Sequence, residues 1–575
     1  MEHFDCVVVG AGWYGLAAAK QYRCTKPESS LAIFDSQATL GGTWAEERLY
    51  PGLKSNNLLG SYEFPDFPMD SETFQVQPGQ HIPGEAINAY LKAYATTFGI
   101  ASKIRSSQKV LTAEHLETPE GGWFLTVSGV DEKEMKVFTR RLIVATGLTS
   151  KSWLPRFAGQ ESFGCRIFHG KDFQQNSDTL KTAKSVTILG GSKLAWDAVY
   201  AYAVAGVKPS DTRIVTWFSP CVWGNADGFT CTRNFLHRTA TGRAIVNTFW
   251  KVLGANIMSR SPYRSHHDIA KLRPWTEPIF TGASFSILNY ETDFFGLVKS
   301  GAVKVHLGEI DHLSPGNVHL SDGTQFPADI LLAYTGWEQV PPIRFLPEGI
   351  ENELGIPHER ANAGVFEDLA GRSDLVDLAD KEILDRFPRL KRQSVWKKHR
   401  VPLTEPKDIE TNDTVTPHKS LTPYMLHRFI VPPANRFLRT RDTVFVGIVS
   451  NFSTAITAHL QGLWVTAYFS GLLAKDPAAA VGDKPALEKL QYDTVLLNRF
   501  GRWRCPTDWG AVGSPSFVLD AVPYLDLLQR DLGLDPYRKH CFIAEIYSPY
   551  GPEDYREVNE EWLTIFGGTK ALPVP

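Results

Sequence analysis

Residues 4–20 constrain the fold more than any other stretch. The apolar run Phe4-Asp5-Cys6-Val7-Val8-Val9 leads into Gly10-Ala11-Gly12-Trp13-Tyr14-Gly15 and then the helix-forming Leu16-Ala17-Ala18-Ala19-Lys20. Strand, glycine turn and helix in this order are the parts of a dinucleotide-binding βαβ unit. Gly10 permits the tight turn, Gly12 lets backbone N–H groups approach a pyrophosphate at the helix N-terminus, and Gly15 lets helix and strand pack closely. A second apolar strand, Leu31-Ala32-Ile33-Phe34, runs into Asp35. An acid at that spacing can accept a hydrogen bond from a ribose.

The pattern recurs. Val186-Thr187-Ile188-Leu189 opens onto Gly190-Gly191-Ser192-Lys193-Leu194-Ala195 and a helix from Trp196 to Ala205, with Ala195 as the small residue in the third position. Each copy is followed by an apolar strand ending in Thr-Gly, Arg141 to Gly147 for the first and Ile330 to Gly336 for the second. Trp123 to Val127 reads as an antiparallel strand between the copies. The expected fold class is therefore α/β, with two Rossmann-like dinucleotide-binding domains and helical insertions. The boundaries expected are 1–175 for the first part of domain one, 176–335 for domain two with a helical insertion at about 225–290, and 336–575 for the rest of domain one with a C-terminal extension.

Composition narrows the setting. Lys plus Arg number 60 against 63 Asp plus Glu, so no global field draws nucleic acid or anionic lipid. The seven cysteines form no C-x-x-C pair, which argues against a disulfide framework or a structural zinc and for a reducing, cytoplasmic compartment. The start of the chain lacks the basic segment and cleavage site of a signal peptide. The most apolar stretch, Ala455 to Ala474, carries His459, Gln461, Thr466 and Ser470 and is expected to be a buried helix, not a membrane span.

With these motifs in place the chain resembles the flavin-containing monooxygenases, class B flavoprotein monooxygenases, and within them the soluble fungal branch. The likeness is carried by Gly10 to Gly15, by Gly41-Gly42-Thr43-Trp44 and Tyr50-Pro51-Gly52, by Gly190 to Ala195, and by Val446-Gly447 through Leu460-Gln461-Gly462-Leu463-Trp464. The family's F-x-G-x-x-x-H stretch reads Phe163-Gly164-Cys165-Arg166-Ile167-Phe168-His169, followed by Phe173, with the glycine displaced by one place. His169 reads first as a structural histidine.

The resemblance implies FAD in the first domain and NADPH in the second, with O2 and a small-molecule substrate as partners. Reduced flavin would form a C4a-hydroperoxide that gives one oxygen atom to the substrate. For FAD it points to Gly10, Gly12, Gly15, Asp35, Gly42, Thr43, Trp44 and Gln461, and for NADPH to Gly190, Gly191, Ser192, Lys193 and Arg213, the last standing in for the arginine that pairs with a 2′-phosphate. Trp217 is a candidate to stack on adenine. The helix starting near Thr454 to Thr457 could aim its N-terminal N–H groups at the flavin pyrimidine edge. Trp44 and Asn56 are the candidate catalytic residues. Baeyer–Villiger relatives usually carry Asp where this chain has Asn56, and an amide can donate to a peroxide without adding charge. Asn56 thus favours hydroxylation or N/S-oxidation.

Two insertions stand apart. Between Asn225 and Trp275 there are eight Lys or Arg against Asp227 and Asp268, interleaved with aromatics. A lid over the active site, a solvated helix pair, and a membrane or partner surface are all open, the first favouring an anionic or phenolic substrate. The second, Ala361 to Leu421, should pack across the first domain. Competing functions are a Baeyer–Villiger enzyme, a disulfide reductase disfavoured by the missing cysteine pair, and a flavin-binding redox sensor without turnover.

Overall fold

The Val-rich strand Glu2–Val9 buries all of its last four residues and lies inside an eight-stranded sheet. Parallel neighbours Leu31–Phe34 and Glu134–Val144 flank it, in register Val9 to Phe34 and Val9 to Val144. A strand covered on both faces must be apolar throughout, which is why Cys6 to Val9 show no alternation. Lys109–His115 and Trp123–Ser128 continue the sheet antiparallel from Glu134–Val144, as the Trp123 segment led us to expect. Thr443–Phe445, from the far end of the chain, adds parallel to Glu134–Val144, so the first domain is completed by the C-terminal part. The computed structural model describes residues 1–129, 131, 133–190, 212–259, 262–274, 276–280, 293–338, 340–359, 368–392, 421–506, 516–517 and 520–566.

Two helices seal this sheet. Trp13–Thr25 crosses Thr454–Ser470, whose residues 455–469 are all buried. Their approach is set by Gly462, where a Cβ would stand 3.0 Å from the Ala17 carbonyl oxygen. The apolar stretch is thus a core helix, closed by Gly471 in the left-handed conformation. Among the described residues no helix is long and apolar enough to cross a membrane.

A second sheet holds Arg166–His169, Ile330–Ala333 and Val186–Leu189, all parallel. Its edge strand comes from before residue 176, so the second unit starts earlier than the boundary drawn from the sequence. The chain enters this unit past Lys151–Ser152 and leaves it past Trp337–Glu338, and these two short strands pair antiparallel. Trp153 N donates to Gly336 O at 3.1 Å and Thr335 Oγ1 donates to Trp153 O at 2.5 Å, fastening the crossing.

Helices Thr230–Arg238, Ala240–Ser259 and His267–Lys271 form the basic insertion, and the helix Arg213–Phe218 precedes it. Of the second insertion, the helix Ser373–Arg386 packs on Lys484–Arg504, held by the Asp380 carboxylate, which takes Arg499 and, at 2.8 Å, Trp503 Nε1.

Candidate functional site

At the C-terminal end of Glu2–Val9 the chain turns through Gly10 at φ +112°, where a Cβ would lie 2.4 Å from the Ala145 carbonyl oxygen. A Cβ on Gly15 would lie 1.9 Å from Gly10 O, so strand and helix meet at a separation only glycine allows. Gly12 caps Trp13–Thr25 without a side-chain hydrogen bond. The first-turn N–H groups therefore have no partner within the helix and mark an anion site. Opposite stands a second bare backbone: Gly41 N donates to Ala11 O at 2.9 Å, and a Cβ on Gly42 would approach Gly12 Cα to 3.1 Å. Gly41 and Gly42 take φ +129° and +62°.

Asp35 closes the turn. Its Oδ2 accepts from Ala11 N at 2.6 Å and its Oδ1 from Gln37 N at 2.8 Å, while burial pushes its carboxyl up against the pull of those donors. Each oxygen keeps a second lone pair for a ribose hydroxyl. The Gly42–Trp44 turn is held from below by Asn88, whose Nδ2 donates to Leu40 O at 3.0 Å and Trp44 O at 2.8 Å. Trp44 is half-buried and donates Nε1 to Tyr62 Oη at 3.3 Å. Burial pushes the Tyr62 phenol up to about 12, so it remains a neutral donor. Thr43 is exposed and shares a hydroxyl contact of 3.2 Å with Thr149.

The strand Lys54–Leu58 places consecutive side chains on opposite faces. Asn57 is buried and donates Nδ2 to Phe452 O at 2.9 Å, tying the strand to the loop before Thr454–Ser470. Asn56 faces the other way and is half-buried. That helix has no side-chain N-cap hydrogen bond, so the N–H groups of Thr454, Ala455 and Ile456 have no acceptor within it. Buried polar atoms near these segments without a hydrogen-bond partner include Tyr14 Oη in the glycine turn and Asn451 Oδ1 before the helix. Bare glycine backbone, open helix N-termini and orphaned polar atoms fit a large polar cofactor with an anionic centre.

The second unit enters its glycine turn as the first does. Gly190 takes φ +133° and a Cβ there would lie 2.6 Å from Tyr334 O. Tyr334 follows Ala333, the register partner of Leu189, just as Ala145 follows Val144, the partner of Val9. Tyr334 N donates to Leu189 O at 2.7 Å and Ala145 N to Val9 O at 2.9 Å.

Residues 8–64 match the model of the NAD(P)-binding Rossmann-like domain. The chain is 28% identical to the FAD-dependent monooxygenase DEP4 of Alternaria brassicicola over 98% of this chain and 96% of that protein. It is 29% identical to an FAD-dependent monooxygenase of Pyrenophora dematioidea over 94% of this chain and all of that one. Over nearly its whole length the chain is thus similar to FAD-dependent monooxygenases of fungi. Its fold is that of cyclohexanone monooxygenase in the cyclohexanone-bound Rotated conformation, with a TM-score of 0.55 at 13% identity over 92% of this chain and 97% of that one. This monooxygenase is accordingly an oxidoreductase.

Two assignments made from the sequence are corrected by this monooxygenase's structure. Arg213 does not follow a strand but begins the helix Arg213–Phe218, and it is wholly buried. Nη1 and Nη2 grip Asp526 at 2.6 and 3.3 Å, Nε donates to Glu545 at 3.0 Å, and Nη2 donates to Tyr550 Oη at 2.6 Å. A guanidinium so neutralised is not available to a 2′-phosphate. Trp217, on the same helix, packs its ring 4.9 Å from Phe229. Gln461 is also wholly buried: its Oε1 accepts from Gly447 N at 3.1 Å and its Nε2 donates to Tyr524 Oη at 2.8 Å. It fastens the Val446-Gly447 turn, and both ends of its amide are taken. Gly191, Ser192 and Lys193 lie outside the described residues.

His169 is buried, its Nδ1 accepts from Lys171 N at 3.1 Å, and burial lowers its pKa. It terminates a strand of the second sheet. Sequence reasoning missed Tyr62, Asn88 and Asn451, single polar residues whose partners are distant in the chain. It also missed Arg48, a half-buried guanidinium over the Trp337 ring at 5.6 Å, where the two units meet.

Proposed function

We propose that the chain is an FAD- and NADPH-dependent monooxygenase that places one oxygen atom of O2 on a small hydrophobic or aromatic metabolite, by hydroxylation or N/S-oxidation. NADPH, a proton, O2 and substrate would yield oxygenated substrate, water and NADP+. The observation that carries the reading is the pair of bare backbones at Gly12 and Gly42 below the open N-terminus of Trp13–Thr25, with its twin turn at Gly190. FAD, when bound, supplies the redox and oxygen-activating chemistry.

The chain's residues then do four things. Gly12 and the Trp13–Gly15 N–H groups receive the pyrophosphate, and Asp35 receives a ribose hydroxyl. The Thr454–Ile456 N–H groups would serve the electron-rich edge of a bound flavin, where a helix N-terminus offsets negative charge. Trp44, braced by Tyr62 and Asn88, excludes water. Asn56 offers an uncharged amide beside the reacting oxygen. The fungal relatives favour a setting in specialised metabolism. A Baeyer–Villiger reading, ketone to ester, is second: the likeness to cyclohexanone monooxygenase speaks for fold alone, and Asn56 in place of an acid counts against it.

The test is nicotinamide oxidation and O2 uptake by the flavin-loaded protein, with NADPH or NADH, on thioether, tertiary amine, phenol and cyclic ketone probes. Sulfoxide, N-oxide or hydroxylated product made in step with NADPH supports the proposal. Lactone alone establishes the second reading, and no product from any probe leaves the redox sensor.

A further inference from the structure

The basic insertion helps to line a half-open cavity of about 130 Å³, and no residue of Gly10–Gly15, nor Gly190, is among its walls. Against about 30 Å³ for one water in the liquid, the space suits a single ring or a short chain and is far too small for a dinucleotide. Its floor is apolar, made by Val246, Ile279 and Phe387. Its polar rim is cationic: Arg243 from the helix Ala240–Ser259, and Arg389 and Arg392 from the turn after Ser373–Arg386. No carboxylate lines it.

These cations are unevenly neutralised. Arg389 pairs with Glu277 and lies over the Phe280 ring at 5.5 Å. Arg243 spends one N–H on Arg238 O at 2.7 Å, and among the described residues neither it nor Arg392 is recorded in an ion pair. Two uncharged polar groups, Asn247 and His237, complete the lining; His237 donates Nε2–H to Trp217 O at 2.9 Å and stands edge-on to Phe387 at 5.2 Å. Burial pushes its pKa down to about 4, so it adds no charge. Guanidinium groups gathered in one concavity repel each other unless an anion is shared, and a planar carboxylate matches their fork.

We propose that this cavity is a binding site for a small organic carboxylate with an apolar body, separate from the dinucleotide sites. The carboxylate sits between Arg243 and Arg392 and the hydrocarbon rests on Val246, Ile279 and Phe387. The site is joined to the flavin side by packed rings. Phe387 contacts Phe500 at 6.2 Å, Phe500 contacts Trp223 at 5.1 Å, and Trp223 contacts Phe517 at 4.9 Å. Phe517 N donates to Ser450 O at 2.7 Å, at the head of the loop leading to Thr454. The proposal does not depend on the reaction catalysed.

Isothermal titration of the full chain, loaded with FAD and saturated with NADP+, tests it with benzoate as the anion and benzamide as its neutral counterpart. Benzoate should bind and weaken with added salt, and benzamide should not bind. Arg243→Gln and Arg392→Gln should each weaken benzoate at least tenfold while the thermal midpoint stays near that of the parent, and Arg243→Lys should recover part of the loss. Three results would overturn the proposal: no benzoate heat at about millimolar concentration, benzamide binding as well as benzoate, or benzoate binding unchanged in both Gln variants. Should one variant fail to fold, the other and the salt series decide.

Discussion

Gly12 and Gly15 are three residues apart, yet their substitution should have unlike results. A Cβ on Gly15 would drive into Gly10 O at 1.9 Å, whereas one on Gly12 meets only Gly42 Cα at an ordinary 3.5 Å. Gly15→Ala should therefore cost at least about 2 kcal/mol of stability, read from urea unfolding. Gly12→Ala should keep the apo-protein's midpoint and lose FAD, since the new methyl stands where the pyrophosphate must approach. Should Gly12→Ala retain full flavin content after gel filtration, the cradle has been misplaced. Asn56→Asp leaves volume almost unchanged and adds a charge. With Asn57 already committed to Phe452 O, the neighbouring change should not disturb the fold. It should keep FAD and NADPH oxidation while the fraction of NADPH yielding product collapses; unchanged coupling would remove Asn56 from the site.

At the level of the element, what could be read in advance follows from how local the determining forces are. The strand–turn–helix at Phe4–Ala19 and the strand and first glycine at Val186–Gly190 were legible because a Cβ at Gly10, Gly15 or Gly190 would strike a backbone carbonyl oxygen. The buried helix Thr454–Ser470 was legible from its apolar length and scattered polar groups. The helix Arg213–Phe218 was not, because its partners Asp526, Glu545 and Tyr550 lie more than three hundred residues onward and no local pattern announces them. Gln461 misled in the same manner, since Gly447 and Tyr524 absorb both ends of its amide. Removing one member of such a buried network strands the others. Arg213→Met should destabilise by about 3–5 kcal/mol, measured by guanidinium unfolding, and leave the preference for NADPH over NADH where it was. A selective loss of NADPH affinity with unchanged stability would restore the phosphate-binding role.

Across the whole molecule, histidines buried in the neutral form should make the fold sensitive to acid. Burial pushes His237 down to about 4 and His459 likewise to about 4, the latter despite Asp66 nearby. In the unfolded chain both return to about 6.5, so between those values the unfolded state holds more protons. Their stabilising contribution is complete above about pH 6.5 and drains away as pH falls toward about 4. The urea midpoint should accordingly be lower at pH 5 than at pH 7, and replacing both histidines by Gln should reduce that slope, with His427, which burial also pushes down, carrying part of the remainder; an unaltered slope would place the sensitivity elsewhere. The paired strands Lys151–Ser152 and Trp337–Glu338 carry a different consequence. A lobe whose entrance and exit lie side by side is nested in its host like a parenthesis in a sentence. Inheritance can lengthen it, trade it or recombine it as one cassette, because the flanking chain already meets where the cut would be healed.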